Sequence, residues 1–396
     1  MHKRQPKRPV QYAVQPPTIL PPVYTYTYAS GSNHNPDTDD FSTRRKPHSR
    51  RKKRIVRAVI LLIVASLGFG LWIGYDNIAR LTGNRNPLQL FGAFREANLQ
   101  QTNGRTNILL AGYSVDDPGH SGAELTDSIM IISIDKASSR ATLISVPRDL
   151  WVRIPDYGYS KINAAYPDGE KNGFNELGYF TGGIGLLQKV VEQNLGLDIH
   201  YYGLINYAAF KQAVDAVGGI SIDLTSPDNP YGLYDPYTNL KLPNGVVQLD
   251  GQTALNLARS RGDGPGAYGF PRGDFNRTQH QRQLLLALKD KATSAGVLAN
   301  PIRAGQLVSA AGNNVRTNMS VAEIQTVASI TKNIPSSAII SVGLNDINHV
   351  NYLQSYTSPS GQSALIPATG LDRFGAIQDA LDLLLSPPDE NTTSGQ

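Results

Sequence analysis

Short apolar runs alternate with segments of helical periodicity from Thr106 to Leu385. The runs Thr106–Gly112, Ser128–Ile134 and Ala141–Val146 are rich in β-branched residues and have the length of strands. This alternation predicts an α/β fold, a layered α/β/α domain in which helices cover both faces of a central mixed sheet. The other predicted elements are helices at Leu186–Gly196, Tyr207–Val217, Gly251–Arg259, Asp274–Ala295, Ser320–Asn333 and Asp372–Leu385, and strands at Tyr201–Ile205, Ile220–Leu224 and Ser337–Val342.

A longer apolar stretch precedes this region. The 18 residues from Ala58 to Tyr75 carry no charge, and a helix of that length spans about 27 Å, close to the hydrocarbon thickness of a bilayer. Trp72 and Tyr75 stand where interfacial aromatic residues belong. The pattern predicts a single transmembrane helix over 55–75. A cleaved signal peptide is disfavoured by the long leader that precedes the stretch.

Charge is divided unevenly between the two sides of this apolar stretch. Residues 1–57 hold 13 Lys and Arg against 3 Asp, whereas the rest of the chain holds 24 basic and 29 acidic residues. Positive residues flank the cytoplasmic ends of membrane helices, so we expect a cytoplasmic N-terminus and an extracytoplasmic folded domain at the cell membrane. Anionic lipid head groups are the expected partner of the basic tail, and no nucleic acid is expected.

Composition divides the chain into five parts. Residues 1–54 are polar, rich in proline and then strongly basic, which is typical of a disordered tail. The transmembrane helix is followed by a predicted juxtamembrane stalk over 76–102, a folded domain over 103–386 and a disordered tail over 387–396. The segment from about Ala299 completes the folded domain or forms a small appended one. The absence of cysteine excludes disulfides, thiolate metal sites and cysteine nucleophiles.

Acidic residues cluster in the loop between the first two predicted strands. Asp116, Asp117, Glu124 and Asp127 stand there in a polar, glycine-containing stretch. Carboxylates at a strand end suit a hard divalent cation such as Mg²⁺. Composition alone favours the other interpretation, a solvated acidic loop.

A second charged cluster follows the third predicted strand. Arg148 and Asp149 come directly after Val146-Pro147, and Lys161 follows further along. An arginine at the end of an apolar strand is costly to bury unless it meets an anion. A bound anion and a salt bridge, either to Asp149 or to another carboxylate at the end of the sheet, are equal alternatives.

The largest charged cluster surrounds a glycine-rich loop between two predicted helices. A helix that begins near Asp274 would place Arg277 and Gln281 on one face. Several arginines converging on a flexible loop favour bidentate phosphate recognition over a surface ion-pair network, because lysines are few there. The cluster comprises Arg259, Arg261, Asp263, Arg272, Asp274, Arg277, Gln281 and Arg282.

Familiar nucleophile motifs are absent from the sequence. It contains no GxSxG, no HExxH and no Walker loop. His120, His200, His280 and His349 are scattered, and each is predicted to be structural or exposed. This pattern fits phosphoryl transfer that proceeds by positioning and electrostatics rather than through a protein nucleophile.

The order of these motifs resembles that of the LytR-CpsA-Psr family of bacterial cell-envelope proteins. The matching segments include LTDSIMIISID, SVPRDLWVRIP, YSKINAAY and ALNLARSRGDGPGAYGFPRGDFNRTQHQRQ, and the resemblance runs from about Thr106 to about Ala292. It implies a Mg²⁺-dependent phosphotransferase that takes a glycopolymer, such as teichoic acid or capsular polysaccharide, from an undecaprenyl-pyrophosphate carrier. The glycopolymer would be joined to peptidoglycan through a phosphodiester. A hydrophobic lipid-binding pocket is also implied.

The resemblance implies roles for individual residues. Asp127 would bind the metal, with Asp116 or Asp117 as the second acid. Arg148 would bind the pyrophosphate. For the mechanism, we expect either Asp116 or Asp149, as an aspartate near the metal, to accept the proton of the attacking hydroxyl. The other residues implied for the pyrophosphate site are Lys161, Arg259, Arg261, Asp274, Arg277 and Gln281.

Two positions depart from the family pattern. Leu125 stands where the family commonly has an arginine, two residues before the metal-binding aspartate. Ser114 stands where an acidic residue commonly follows the first strand. One phosphate contact is therefore expected to be lost, and the second metal ligand has to come from elsewhere in the loop.

Other interpretations stay open. The apolar runs Leu186–Val191 and Ala208–Val217 could line a lipid tunnel between the sheet and its helices, although ordinary core faces are the alternative for both. A hydrolase for polyprenyl pyrophosphates could use the same charged site, with water in place of the acceptor. A non-enzymatic, membrane-bound envelope regulator is the third possibility.

Overall fold

The computed structural model describes residues 97–114, 125–227, 230–294 and 314–386. The strands are β1 (Arg105–Tyr113), β2 (Thr126–Asp135), β3 (Arg140–Val146), β4 (Trp151–Ile154), β5 (Gly158–Lys161), β6 (Tyr201–Asn206), β7 (Ile220–Asp223), β8 (Leu233–Asp235), β9 (Leu240–Leu242), β10 (Val246–Leu249), β11 (Val315–Thr317), β12 (Ile340–Gly343), β13 (Leu353–Thr357) and β14 (Ser363–Pro367). The α-helices are α1 (Ala165–Asn172), α2 (Gly183–Leu195), α3 (Tyr207–Ala216), α4 (Gly251–Arg259), α5 (Asp274–Thr293), α6 (Val321–Lys332) and α7 (Gly375–Leu385).

The central sheet is mixed, as predicted. Within the described residues it has the strand order β11-β6-β1-β2-β3-β12. Strand β2 runs antiparallel to both β1 and β3, whereas β6 pairs in parallel with β1, and β12 in parallel with β3. The carboxyl ends of β1, β3, β6 and β12 therefore lie at the same edge of the sheet as the amino end of β2. We call this the C-terminal edge.

Helices cover both faces of the sheet because side chains alternate along each buried strand. Leu109, Ile131 and Ile144 point into a core that is completed by α2 and α7. Ile108 and Ile134 point to the opposite face and pack there against α6. The prediction of helices on both faces is thus confirmed.

A second apolar core holds α3, α4 and α5 together with the short strands β7 to β10. Val214, Leu257 and Leu284 are fully buried within it. Helix α5 is also tied to the sheet, because Arg282 donates hydrogen bonds to the Ser145 hydroxyl at 2.9 Å and to the Ser341 hydroxyl at 2.8 Å. Burial lowers the pKa of Arg282 to about 10, so it remains a cation at neutral pH.

The structure shifts two predicted elements and adds others. The strand predicted at Ser337–Val342 begins only at Ile340, because Ser336–Ala338 forms a 3₁₀ turn. The last helix begins at Gly375 rather than at Asp372. The structure also contains the hairpins β4–β5, β8–β9 and β13–β14 and helix α1, which the sequence pattern does not predict. Their strands have only three to five residues, and α1 contains Pro167 and Gly169.

Several predicted segments lie outside the described residues. These are the basic tail (1–54), the transmembrane helix (55–75), most of the stalk (76–102) and the C-terminal tail (387–396). In the part of the chain that is described, no helix has the length and apolar character needed to cross a membrane.

Candidate active site

Charged residues from three distant segments meet at the C-terminal edge of the sheet. Asp127 is the second residue of β2, and Arg148 lies two residues beyond the end of β3. The register that pairs Ile129 with Val146 brings these two segments side by side. Asp274 opens helix α5 next to them. The side chains that sequence reasoning assigned to separate clusters therefore share one site.

Arg148 is the centre of this charged site. One guanidinium nitrogen lies 2.6 Å from Asp127 Oδ1, and Nε lies 3.7 Å from carboxylate oxygens of both Asp149 and Asp274. Burial by itself disfavours the cation, but the nearby carboxylates outweigh it and raise the pKa of Arg148 above its usual value. Arg148 thus takes the salt-bridge arrangement in this structure, with Asp127 rather than Asp149 as its closest partner.

Arg277 is the most deeply buried cation of the site. Its side chain is 4% exposed, and its guanidinium lies 2.9 Å from Asp274. Burial lowers the pKa of Arg277, and the neighbouring cations Arg148 and Arg261 add to the effect of burial. Among the described residues, Nε of Arg277 finds no hydrogen-bond acceptor. A buried donor without an acceptor is costly, so this atom is suited to an oxygen of a ligand.

Asp149 holds Lys161 at the outer side of the site. The Lys161 ammonium lies 2.7 Å from Asp149 Oδ1. The main-chain carbonyl of Asp149 accepts a hydrogen bond from Leu365 N at 3.0 Å. The side chain and the backbone of Asp149 are therefore both fixed by partners from strands, β5 for the side chain and β14 for the backbone.

Arg259 is the last residue of α4, and Arg261 follows two residues later. The Arg259 guanidinium stacks over the ring of Tyr207 at 4.9 Å, a geometry in which the ring face attracts the cation. Arg261 pairs with Asp263 at 2.7 Å, and its side chain is 37% exposed. The two arginines therefore border the charged site on the side of helices α3 and α4.

A buried carboxylate that sequence reasoning missed supports this loop. Asp235, at the end of β8, is 2% exposed. Its Oδ2 accepts hydrogen bonds from Arg261 N and Gly262 N, both at 2.9 Å, and its Oδ1 accepts from Tyr237 N and Thr238 N. Gly262 has a φ of +78°, a left-handed conformation that glycine adopts without strain. The Asp235 carboxylate thus fixes the backbone from which the Arg261 side chain extends.

Gln281 connects three elements of the site. Its amide oxygen accepts a hydrogen bond from the Ser128 hydroxyl at 3.0 Å, and its amide nitrogen donates to the Ala258 carbonyl at 2.9 Å. Gln281 therefore links β2, α4 and α5. This geometry indicates a positioning role for Gln281.

An apolar cavity of about 290 Å³ opens beside the charged residues. It lies between the sheet and helices α3, α4 and α5, and Asp127, Arg259 and Arg277 stand on its wall. We call this the apolar cavity. Its apolar wall includes Leu110, Met130, Phe210, Ala213, Leu255 and Leu288.

Only one of the two apolar runs proposed for a lipid tunnel lines the apolar cavity. Ala209, Phe210 and Ala213 come from the run Ala208–Val217. The run Leu186–Val191 belongs to α2, which packs in the core on the opposite face of the sheet. The core-face interpretation therefore applies to the latter.

Some charged or metal-binding candidates do not join the site. Arg272 donates a hydrogen bond to the Gln279 side chain at the surface. Arg282 donates a hydrogen bond to Ser341 and so connects α5 to the sheet. His280 is buried, and burial lowers its pKa to about 4, so it is neutral at physiological pH. Asp116, Asp117 and Glu124 lie outside the described residues. Within the described ranges, no three His, Asp or Glu side chains come together as a metal site.

The departures from the family pattern can also be located. Ser114 is 3% exposed, and within the described residues its hydroxyl has no hydrogen-bond partner. Leu125 lines a second pocket together with Arg148 and Asp149. No other guanidinium takes the place of the missing arginine among the residues that line this pocket.

Comparison with known proteins identifies the relatives of this chain. The model of the LytR_cpsA_psr family matches residues 79–365. The polyisoprenyl-teichoic acid–peptidoglycan teichoic acid transferase TagU of Oceanobacillus iheyensis is 30% identical over 72% of this chain and 83% of its own length. The cell wall biosynthesis protein LcpA of Corynebacterium glutamicum is 27% identical over 80% of this chain, and the match spans only 60% of LcpA.

Solved structures share the fold. The crystal structure of TagV from B. subtilis superimposes with a TM-score of 0.53 at 24% sequence identity, over 72% of this chain and all of TagV. At that level of identity the superposition supports the α/β fold with its central mixed sheet.

Proposed function

The chain belongs to the LytR-CpsA-Psr family, and on that premise we propose that it is a phosphotransferase. It moves a glycopolymer from an undecaprenyl-pyrophosphate carrier to peptidoglycan through a phosphodiester bond. The observation that carries this proposal is the apolar cavity with Asp127, Arg259 and Arg277 on its wall. A polyprenyl pyrophosphate is complementary to this arrangement, because it is an apolar chain that ends in a strongly anionic group. The name of TagU, a teichoic acid transferase from a polyisoprenyl donor to peptidoglycan, supports the same assignment.

The charged site suits a pyrophosphate. Guanidinium groups donate paired hydrogen bonds to phosphate oxygens, and such charge-assisted bonds are about twice as strong as neutral ones. Arg277 brings a buried donor that lacks an acceptor among the described residues. Arg148 carries further donors at the C-terminal edge of the sheet. Binding of the pyrophosphate exchanges part of the contacts between Arg148 and its carboxylates for contacts with phosphate.

The reaction requires no protein nucleophile. An acceptor sugar hydroxyl attacks the phosphorus next to the glycan, the new P–O bond forms, and the bond to the bridging oxygen of the pyrophosphate breaks. Polyprenyl phosphate leaves with the bonding electrons, and Arg259 and Arg261 stand where they can stabilise the charge of the phosphates. Asp149, held by Lys161 at 2.7 Å, accepts the hydroxyl proton. The catalytic contribution is positioning and electrostatic stabilisation.

A Mg²⁺ ion fits this set of residues. Mg²⁺ commonly binds through one or two carboxylates together with substrate phosphates, rather than through a complete protein cage. Asp127 supplies a carboxylate on the wall of the apolar cavity, and no group of three metal-binding side chains is needed. Asp116 remains the proposed second ligand from the acidic loop. When bound, the ion would neutralise negative charge on the pyrophosphate.

Transfer activity is tested with the purified full-length chain, a lipid-linked glycan donor and peptidoglycan oligomers. We expect a phosphodiester-linked glycan–peptidoglycan product in Mg²⁺, and loss of that product in a chelator followed by recovery when Mg²⁺ is restored. Free glycan phosphate without a linked product would identify a hydrolase instead. Consumption of neither substrate would contradict the proposed function, and a transfer rate that is insensitive to chelation would contradict the role of the metal.

The proposed location follows from the carrier. A polyprenyl donor resides in the membrane, so the enzyme has to work at the membrane surface, anchored by the apolar stretch 55–75. Its basic N-terminal flank favours a cytoplasmic tail and a catalytic domain on the outside. Protease digestion of intact protoplasts should remove a C-terminal tag and spare an N-terminal one. The reverse result would contradict this orientation.

Replacing Asp235 with asparagine is expected to lower kcat/KM for transfer by about 10-fold, because hydrogen bonds to charged groups contribute about 1.5–3 kcal/mol each. The carboxylate accepts two amide donors on each oxygen. An asparagine amide satisfies only one of these pairs and turns its own NH₂ group toward the other. The Arg261 loop is then displaced.

The control for this prediction is the Asp263→Asn variant. It removes the exposed partner of the same arginine, and an exposed ion pair contributes little to stability. We expect at most a twofold change in kcat/KM for this variant. Equal effects of the two substitutions would argue against the positioning role of Asp235.

A further inference from the structure

A second pocket, of about 310 Å³, lies on the outer side of Arg148. Its wall combines Arg148 and Asp149 with Ser160, Lys161 and Gln362, and we call it the polar pocket. Its residues come from the residue before β2, from the segment after β3, from β5 and the 3₁₀ turn that follows it, and from the turn between β13 and β14. The polar pocket does not share its lining residues with the apolar cavity.

The two cavities lie on either side of one ion pair. Asp127 lines the apolar cavity, Arg148 lines the polar pocket, and the two side chains meet at 2.6 Å. In phosphoryl transfer the attacking and leaving oxygens lie roughly in line, on opposite sides of the phosphorus. If the polyprenyl phosphate leaves toward the apolar cavity, the attacking hydroxyl has to arrive from the side of the polar pocket.

The wall of the polar pocket suits a sugar. Ser160, Asn163 and Gln362 offer neutral hydroxyl and amide groups, which can both donate and accept hydrogen bonds. Asp149 adds a carboxylate that lines the pocket beside them. The two cations of the wall, Arg148 and Lys161, are paired with this carboxylate, so the neutral hydroxyl and amide groups are the ones left to contact the hydroxyl groups of a sugar.

The hairpin β13–β14 is fastened to the catalytic segment. Leu365 N donates to the Asp149 carbonyl at 3.0 Å, and Leu365 forms a parallel bridge with Leu150. Behind it, Trp151 packs against Ala364 and Ile366. The hairpin therefore holds its turn at a fixed position relative to Asp149.

Gln362 stands at the base of that turn. Its main chain is held from both sides, because its carbonyl accepts from Ser358 N at 2.9 Å and its amide donates to the Ser358 hydroxyl at 3.0 Å. Its side chain is exposed and, among the described residues, makes no hydrogen bond. Because the backbone is already fixed, a hydrogen bond from the Gln362 amide group to a ligand would cost little conformational entropy.

We propose that the polar pocket binds the acceptor sugar and that the Gln362 amide is a specificity-determining contact to one of its hydroxyl groups. This inference rests on the proposed function. It assigns a substrate-binding role to hairpin β13–β14, which carries none of the charged motifs.

The test is steady-state kinetics of the full-length chain with the Gln362→Ala substitution, in which acceptor and donor are varied separately. We expect the KM for the peptidoglycan oligomer to rise by about 3- to 10-fold, the effect of one neutral hydrogen bond, while the KM for the lipid-linked donor stays unchanged. The matched control is Gln248→Ala, since Gln248 is exposed on β10 and does not line the polar pocket.

Each other outcome has a distinct meaning. An unchanged KM for both substrates, in an enzyme that still transfers glycan, would overturn the assignment of the polar pocket and leave the proposed function intact. A rise only in the donor KM would place the donor glycan in the pocket and overturn the acceptor assignment. Absence of transfer by the unaltered chain would overturn the proposed function, and this assignment with it.

Discussion

Replacing Arg148 with alanine is expected to reduce kcat/KM for glycan transfer by about 100- to 1,000-fold, the range measured when one transition-state hydrogen-bond donor is removed. Arg148 is surrounded by the carboxylates of Asp127, Asp149 and Asp274, at 2.6 to 3.7 Å. Without its guanidinium, these carboxylates would face the phosphates directly. The substitution therefore removes the attraction between the guanidinium and the phosphates and leaves the repulsion between the carboxylates and the phosphates.

Two further variants separate charge from geometry. Arg148→Lys keeps a positive charge but loses the planar fork, so we expect it to recover only part of the activity. Arg153→Ala removes an exposed arginine from the neighbouring strand β4 and should leave the rate within twofold. The measurements are initial transfer rates, with circular dichroism to verify that each variant is folded. A folded Arg148→Ala protein that transfers glycan at the unaltered rate would refute the phosphate-binding assignment.

The features of the site that could be predicted are those that depend on the local pattern of apolar and polar residues. The runs that form β1, β2 and β3 are apolar on both faces, so their strand character is visible without knowledge of their neighbours. The position of Arg148 after β3 follows from the same pattern. Its closest partner does not, because the contact with Asp127 depends on the register that pairs Ile129 with Val146. No local pattern fixes that register.

The support of Arg261 shows a second limit. Asp235 lies 26 residues before Arg261 in the sequence and ends a strand of only three residues. In sequence it is one aspartate before a proline in a turn-rich segment, which predicts a turn. The hydrogen bonds that Oδ1 accepts from Tyr237 N and Thr238 N form this predicted turn. The bonds from Oδ2 to the Arg261 loop depend on tertiary packing, and no signal in the sequence identifies them.

The apolar cavity illustrates why helical periodicity alone was insufficient. The runs in α2 and α3 have similar apolar faces, and both were reasonable candidates for a lipid tunnel. In the structure, Leu186 and Leu187 of α2 are fully buried against one face of the sheet. Phe210 and Ala213 of α3 border open space on the other face. Whether such a run is buried or lines a cavity depends on how the neighbouring helices pack against it, and that packing is a property of the whole fold.

Filling the apolar cavity by the Ala213→Trp substitution is expected to raise the KM for a long-chain polyprenyl donor by about 100-fold. Ala213 lies six residues beyond Tyr207, roughly 9 Å along α3, and Tyr207 is the residue that stacks with Arg259. An indole there displaces about one five-carbon isoprene unit. At about 0.8 kcal/mol for each buried carbon, that loss corresponds to roughly 4 kcal/mol before the chain readjusts, and readjustment recovers part of it.

Chain length provides the internal control for this prediction. A donor analogue with only two isoprene units should keep its KM within about threefold, because the cavity between Ala213 and the charged residues stays open. Gln212→Trp places the same bulk one residue earlier on α3, where the side chain is exposed, and should affect neither donor. Equal losses for long and short donors would mean that the indole disturbs the charged site itself. Unchanged kinetics with both donors, in a folded Ala213→Trp protein, would mean that the lipid chain binds outside the apolar cavity.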